Sequence, residues 1–226
     1  VTVPVVYLYA LVDGGPSGPL GEGLAGEPLR LVRCGAFSAV VGEPGGPPRP
    51  DRDSLQAQDA VVRRLAERFG ALLPARFGEA FADDAALVER IAGRASGIAE
   101  SLALVQGCVQ MTLRVFGDPE PPAERADPDA GPGTRYLEAR RWERERSRSL
   151  PEIDPLRETL RPLLRAERIE RQEAGRLLGT AYHLVPRERT GAYLAALEKA
   201  GGEIGGRKIA ASGPWPPYAF GPEVSP

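Results

Sequence analysis

An α+β fold of two domains, each an antiparallel sheet covered by helices, is what the 226-residue sequence predicts. Three observations lead there. Strand-length runs of β-branched and aromatic residues recur along the chain, and each group of them is accompanied by one or two helix-period stripes. Strands and helices do not alternate one for one, as a doubly wound parallel sheet would require. Within residues 107–116, Val109, Met111, Leu113 and Val115 alternate with Gln110, Thr112 and Arg114, the pattern of an antiparallel sheet open to solvent on one face.

In chain order, residues 3–12 are β-branched and aromatic until Asp13-Gly14-Gly15-Pro16 stops them, which predicts a first strand and then a Gly/Pro loop through Pro28. Residues 29–33 and 36–41 read as two strands about a tight turn at Cys34-Gly35, and residues 45–50 break the chain. Ser54 starts a helix in which Val61, Val62, Leu65, Ala66 and Phe69 fall at helical spacing, with Gly70 as its stop. A short buried strand over 72–77 closes at Gly78. Asp83 or Asp84 caps the next helix, where Leu87, Ile91, Ala95, Ile98 and Leu102 form one stripe. After the strand 107–116, residues 117–133 are Pro, Asp, Glu and Ala without a large apolar side chain, which predicts a mobile loop or linker. Residues 136–148 predict a charged helix with Glu138/Arg141 and Glu145/Arg148 at i,i+3 spacing, its charge read as a solvated face. Asp154-Pro155 opens a further helix with Leu156, Leu160, Leu163 and Leu164 inward and a kink at Pro162. A strand over 176–185, a helix over 190–200 ended by Gly201-Gly202, and a last strand over 203–211 follow. The division expected is an N-terminal α+β domain, residues 1–105, and a C-terminal α+β domain, residues 106–226. The second reads as a modified ferredoxin-like plait carrying the mobile loop 117–133 and the tail 212–226.

Composition excludes several classes of function. With 42% hydrophobic and 27% charged residues the chain is too apolar to be disordered. A formal charge of -2 provides no global attraction to nucleic acid or to an anionic membrane. Lys occurs only at Lys199 and Lys208, and the abundant Arg alternates with Glu along the helices. No run approaches the roughly 18 apolar residues of a membrane span. The opening VTVPVVYLYALVDGG has no basic segment before its apolar run and reads as a strand, not a signal peptide. Cys34 and Cys108 each lie in an apolar run without a CxxC partner, the pattern of buried, reduced thiols in an intracellular protein.

Two features invite a chemical reading. Gly21, Gly23 and Gly26 satisfy GxGxxG, with Glu43 near the place of a ribose-binding acid. Dinucleotide binding needs those glycines to open a helix, whereas Glu27-Pro28 and a β-type run follow here. His183, the single histidine, stands between apolar neighbours in TAYHLVP with no nucleophile elbow nearby, and reads as a strand histidine with a satisfied ring. One His and two separated Cys leave no zinc set. No catalytic residue, cofactor or metal is expected.

Several stretches, taken together over nearly the whole chain, resemble the gas vesicle protein family GvpF/GvpL. The N-terminal YLYALVDG is similar to that family's first strand. Leu73-Pro74-Ala75-Arg76-Phe77-Gly78 is similar to its LPxRFG signature, which singles out Pro74, Arg76, Phe77 and Gly78. Gly107-Cys108-Val109-Gln110-Met111 is similar to its central strand, Ala181-Tyr182-His183-Leu184-Val185 to its AYLV strand, and Ser212-Gly213-Pro214-Trp215-Pro216-Pro217-Tyr218-Ala219-Phe220 to its SGPWPPYSF ending. There are departures. Gln56 and Gln58 occupy the helix where the family often shows a histidine, and Gln110 stands where it often shows Glu. Both remove titratable groups, which leans toward a non-enzymatic role.

The resemblance implies an accessory or minor structural protein of gas vesicles, the gas-filled protein shells that give some prokaryotes buoyancy, located in the cytoplasm or on the vesicle. It implies the small hydrophobic shell protein and other gas vesicle accessory proteins as partners, and neither nucleic acid nor lipid membrane. An unassembled shell subunit exposes apolar surface and strand edges that aggregate, and an α+β protein can cover them by edge pairing or an apolar groove. The rival reading is a nucleotide- or small-ligand-binding module built on the Gly-rich loop 21–26. In the tail, prolines favour an extended path and present Trp215, Pro217, Tyr218 and Phe220 either as a strap packed on the protein's own sheet, the preferred reading, or as anchors for the shell protein.

Overall fold

Eight successive residues, VYLYALVD, make the first strand, β1 (Val6–Asp13), and all but the last are buried. The computed structural model describes residues 5–15, 18–118, 149–172, 175–204 and 206–221. The expected helix 136–148, and all of the expected loop 117–133 beyond Asp118, lie outside them.

The contacts divide the chain into two units, Val1–Val109 with Trp215–Pro226, and Gln110–Pro214. The sequence places the break at 105/106 and the tail in the second half, whereas the contacts group the tail with the first. In the first unit, β2 (Arg30–Cys34) and β3 (Phe37–Gly42) form a hairpin about Gly35-Ala36. Gly35 has φ +75° and Ala36 does not share it, the combination a two-residue II′ turn demands. Sheet order is β2-β3-β1-β4, with β4 (Leu72–Pro74) and the short β5 (Ala80–Phe81) both antiparallel to β1.

The β1–β3 register slips between Leu8 and Ala10, so that Tyr9 is an extra residue opposite β3. A bulge of this kind breaks strict alternation. Tyr7, Tyr9, Ala10 and Val12 consequently share one core cluster with Val61, Val62, Leu65 and Phe69. Leu8 and Leu11 fall on the opposite face and are also buried. Helix α1 (Arg52–Arg68) supplies that cluster; Asp51 caps it by accepting from Ser54 N at 2.8 Å, and it ends at Phe69. Each large apolar side chain so enclosed contributes about 2 kcal/mol.

The single helix expected beyond Asp83 is two, α2 (Asp84–Ala92) and α3 (Ala95–Val105). Asp83 caps α2, its carboxylate accepting from Ala86 N at 2.8 Å, and the helix stops at Gly93, a poor helix former. The apolar stripe survives the break, since Leu87, Ile91, Ile98 and Leu102 are all buried.

The second unit runs β6 (Cys108–Phe116), α4 (Asp154–Leu160), β7 (Ala166–Arg171), β8 (Leu177–Pro186), α5 (Thr190–Ala200), β9 (Glu203–Ile204) and β10 (Arg207–Trp215). Its sheet order is β7-β8-β6-β10-β9. Three points differ from the sequence expectation. Pro162 ends α4 at Leu160 and tightens the chain into a 3-10 turn, Arg161–Leu163, instead of kinking a continuing helix. Strand β7, AERIER, has no counterpart in the sequence reading because its pattern is neither apolar nor alternating. On β6, Gln110 and Thr112 are buried to 4% each and bond to one another at 3.2 Å, so the face expected to meet solvent is closed at both.

The last strand also runs further than expected, through Ser212-Gly213-Pro214 to Trp215. Strand β9 pairs only with Arg207 and Lys208, which leaves the later part of β10 without that neighbour, and an outer strand tolerates proline. Gly213 is required there. Its φ is +129°, and a Cβ would lie 2.9 Å from both Gln110 O and Met111 Sδ.

Candidate functional site

The bulge at Tyr9 brings two tyrosines of β1 edge to face, ring centroids 5.1 Å apart, and each hydroxyl organises one loop. Tyr7 donates to Gln58 Oε1 and accepts from Gly78 N at 3.0 Å, while Gln58 Nε2 donates to Ala75 O at 3.3 Å. The LPARFG signature is thereby fastened at both ends. Pro74 ends β4 opposite Ala10, Phe77 packs edge-on to Tyr7 at 6.4 Å, and Gly78 takes φ +90°. Arg76 is exposed.

Tyr9 donates to Glu27 Oε1 and accepts from Leu24 N at 2.9 Å; Glu27 Oε2 accepts from Ala25 N at 2.9 Å. Burial, foremost, raises both tyrosine pKa values, and for Tyr9 the Glu27 carboxylate adds to it. This arrangement accounts for the Gly-rich loop. A Cβ at Gly23 would lie 2.0 Å from Glu27 Oε1 and one at Gly42 2.7 Å from it, and Gly21 and Gly26 have φ +85° and +82°. The loop folds around its own carboxylate. No helix opens after it, because Glu22 bridges Pro28 and the chain enters β2. Glu43 pairs with Arg30 at 2.9 Å, and Arg30 also holds Asp84 at 2.8 Å.

Two of the tail residues named from the sequence, Trp215 and Tyr218, meet α1. Arg63 stacks over the Trp215 ring at 4.2 Å and pairs with Asp59 at 2.6 Å, and Asp59 accepts from the Tyr218 hydroxyl at 3.0 Å. Pro217 and Phe220 are buried in the first unit, and Tyr218 stays 42% exposed. Beyond Trp215 the path is a 3-10 turn, Tyr218–Phe220, packed near β4, so the extended proline path does not continue past Pro217.

In the second unit His183 is buried, with Nδ1 2.7 Å from the Tyr193 hydroxyl and Nε2 3.1 Å from Glu167 Oε1. The bond to His183 is the main reason the Glu167 carboxyl titrates below its ordinary value, with Arg157 at 3.4 Å adding to it. Both ring nitrogens of His183 are engaged, as a structural strand histidine requires. Cys34 and Cys108 are both buried free thiols.

Sequence reasoning missed the four groups that organise these loops: Tyr7, Tyr9, Glu27 and Gln58. One signal was present. Gln58 lies on the same stripe as Val61, Val62 and Leu65, and a polar side chain on an apolar stripe needs a buried partner.

Among the described residues no group of three or more His, Cys, Asp and Glu could hold a metal ion, and no helix is long and apolar enough to cross a membrane. Fold and site together define an α+β protein of two sheet-and-helix units whose buried polar side chains brace loops. The family model of the gas vesicle synthesis protein GvpL/GvpF matches residues 5–222, and the chain belongs to that family. It is 27% identical to gas vesicle protein F of a Streptomyces species, over 95% of this chain and 98% of that protein. It is 26% identical to gas vesicle protein L2 of Halobacterium salinarum, over 96% and 91% of the two chains. Its fold is similar to the crystal structures of GvpF from Anabaena (TM-score 0.69, 18% identity, 96% and 95% covered) and from Microcystis aeruginosa (0.70, 18%, 97% and 99%).

Proposed function

We propose that this chain is a gas vesicle assembly component of the cytoplasm and the vesicle that binds the small hydrophobic shell protein and limits its aggregation. The observation that carries the reading is the family match over residues 5–222, which takes in nearly the whole of the described chain. The geometry is in keeping with a binding role. His183, Glu27 and Glu43 all have partners within the protein. The Gly-rich loop wraps the Glu27 carboxylate where a nucleotide reading would put a pyrophosphate.

In this reading the LPARFG loop and the tail are structural: Pro74, Arg76, Phe77 and Gly78 shape the loop fastened by Tyr7 and Gln58, and Trp215, Pro217, Tyr218 and Phe220 strap the first unit. Other gas vesicle accessory proteins are further partners, and neither nucleic acid nor lipid is one. Co-expression with the shell protein tests it. Soluble shell protein should rise and co-purify with this chain; if neither occurs, the binding reading fails. A chain retained on washed vesicles without any rise in soluble shell protein would instead make it a purely structural component.

A further inference from the structure

Strand β7 is the outer strand of the second unit's sheet, and among the described residues only β8 pairs with it. Gln172, one residue past its end, donates to Leu178 O at 3.0 Å, in register with the β7–β8 ladder. Bonding alternates along an antiparallel ladder, so the N–H and C=O groups of Glu167, Ile169 and Arg171 point away from β8, toward the open side. Side chains alternate as well. Glu167, Ile169 and Arg171 face α4 and the turn before it, where His183 and Glu152 hold the two charged ones. Arg168 and Glu170 lie on the other face, 3.7 Å from one another, with side chains 44% and 45% exposed. Glu170 also accepts from the Tyr182 hydroxyl at 3.1 Å.

We propose that this edge pairs with the same edge of a second copy of the chain, antiparallel about a two-fold axis through Ile169, so that the two sheets become one. From Glu167 to Arg171 the strand reads Glu-Arg-Ile-Glu-Arg, which is complementary in charge to its own reverse. Centred on Ile169, the pairing sets Arg168 opposite the second copy's Glu170 and Glu170 opposite the second copy's Arg168, while Ile169 exchanges both backbone bonds with its counterpart. Moving the centre one residue either way sets Arg168 on Arg168 or Glu170 on Glu170, so charge selects the register. Charged edge strands ordinarily keep copies apart. Here they repel only off register, and the Arg168–Glu170 pair of each chain closes with the other into a ring of four alternating charges. A foreign strand would have to carry the same alternation, whereas a second copy carries it by construction. Six residues a side are few beside the roughly 20–30 of a stable interface, so the dimer is weak and reversible.

Sedimentation equilibrium of the full chain, from about 1 μM to 1 mM, tests it. The mass should climb from 24.2 kDa toward twice that value as concentration rises. Arg168→Glu and Glu170→Arg each place like charges across the axis and should each weaken self-association by about tenfold or more, with the circular dichroism spectrum retained because both side chains are exposed. An equimolar mixture of the two variants should associate again, since each supplies the charge that the other lacks. The double variant Arg168→Glu/Glu170→Arg, which exchanges the pair, should also recover the dimer, an outcome that damage to the fold would not produce. A parent that stays monomeric over the whole range, a parent dimer indifferent to Arg168→Glu, or a mixture that stays monomeric would each overturn the proposal, and the first would leave the edge to a strand of another protein. The assay contains no gas vesicle component, so failure here leaves the shell-protein reading standing, and the reverse holds as well.

Discussion

Glu27 is a carboxylate that dictates glycine elsewhere. With Oε1 on the Tyr9 hydroxyl and Oε2 on Ala25 N, it occupies the space that a Cβ at Gly23 or Gly42 would need. Gly23→Ala should therefore destabilise the first unit by about 2 kcal/mol or more, measured by urea unfolding. Adding Glu27→Ala to that variant should cost less than the sum of the two single changes, because it removes the two nearest atoms with which the new methyl collides, Glu27 Oε1 and Cδ, and leaves only the Tyr9 hydroxyl at 2.5 Å. Strict additivity would mean that the collision is relieved some other way. The glycines of GEGLAG were legible from composition, but their reason was not. Taken alone, a GxGxxG spacing fits a phosphate cradle as well as a loop closed on its own side chain; Glu27-Pro28 and the β-type run after it speak against the first, and the bonds of Tyr9 and Ala25 supply the second. Gln58 was likewise visible only as a polar residue on an apolar stripe, without its partners Tyr7 and Ala75.

Among the elements, the tail and β7 lead to opposite kinds of expectation. Phe220 is 9% exposed, so Phe220→Ala should cost about 3 kcal/mol; Tyr218→Phe removes one bond from a ring 42% exposed and should cost about 1 kcal/mol or less. Thermal melting of the two variants checks the strap reading, which fails if Phe220→Ala melts like the parent. On β7, His183 and Arg157 hold the Glu167 carboxyl below its ordinary value of 4.5. A carboxyl whose folded value is depressed binds its proton less readily in the folded than in the unfolded state. Its stabilisation is present above about pH 4.5 and is lost as pH falls further, through the folded value. Melting temperature should drop over that acid window, and less steeply in Glu167→Gln; equal slopes would remove Glu167 as a source. Elements with an apolar period were readable in the sequence: α1, and α5 at its observed bounds of Thr190–Ala200. Those shaped by pairing alone were not. AERIER becomes a strand because β8 aligns it from Ala166 to Arg171, the Tyr9 bulge is a property of two strands together, and Gly93 interrupts a stripe whose spacing carries straight on.

For the whole molecule, the α+β class with antiparallel sheets was legible because both strand and helix periods recur along the chain, and the five stretches that resemble GvpF/GvpL proteins span the length over which the family model matches. The partition was harder to read, because the local pattern that puts a boundary at 105/106 says nothing about where a distant segment packs. Trp215 and the turn that follows it join α1 and β4, and belong with residues more than a hundred positions earlier in the chain. That has a consequence for biosynthesis. A ribosome makes β1 to α3 first, then the whole of the second unit, and only afterwards the residues that stack on Arg63 and bond to Asp59. Throughout that interval the nascent first unit carries α1 without its cover, so its folding is completed by what is translated after its neighbour, and any truncated translation product ending before Trp215 reaches the cell with that surface bare.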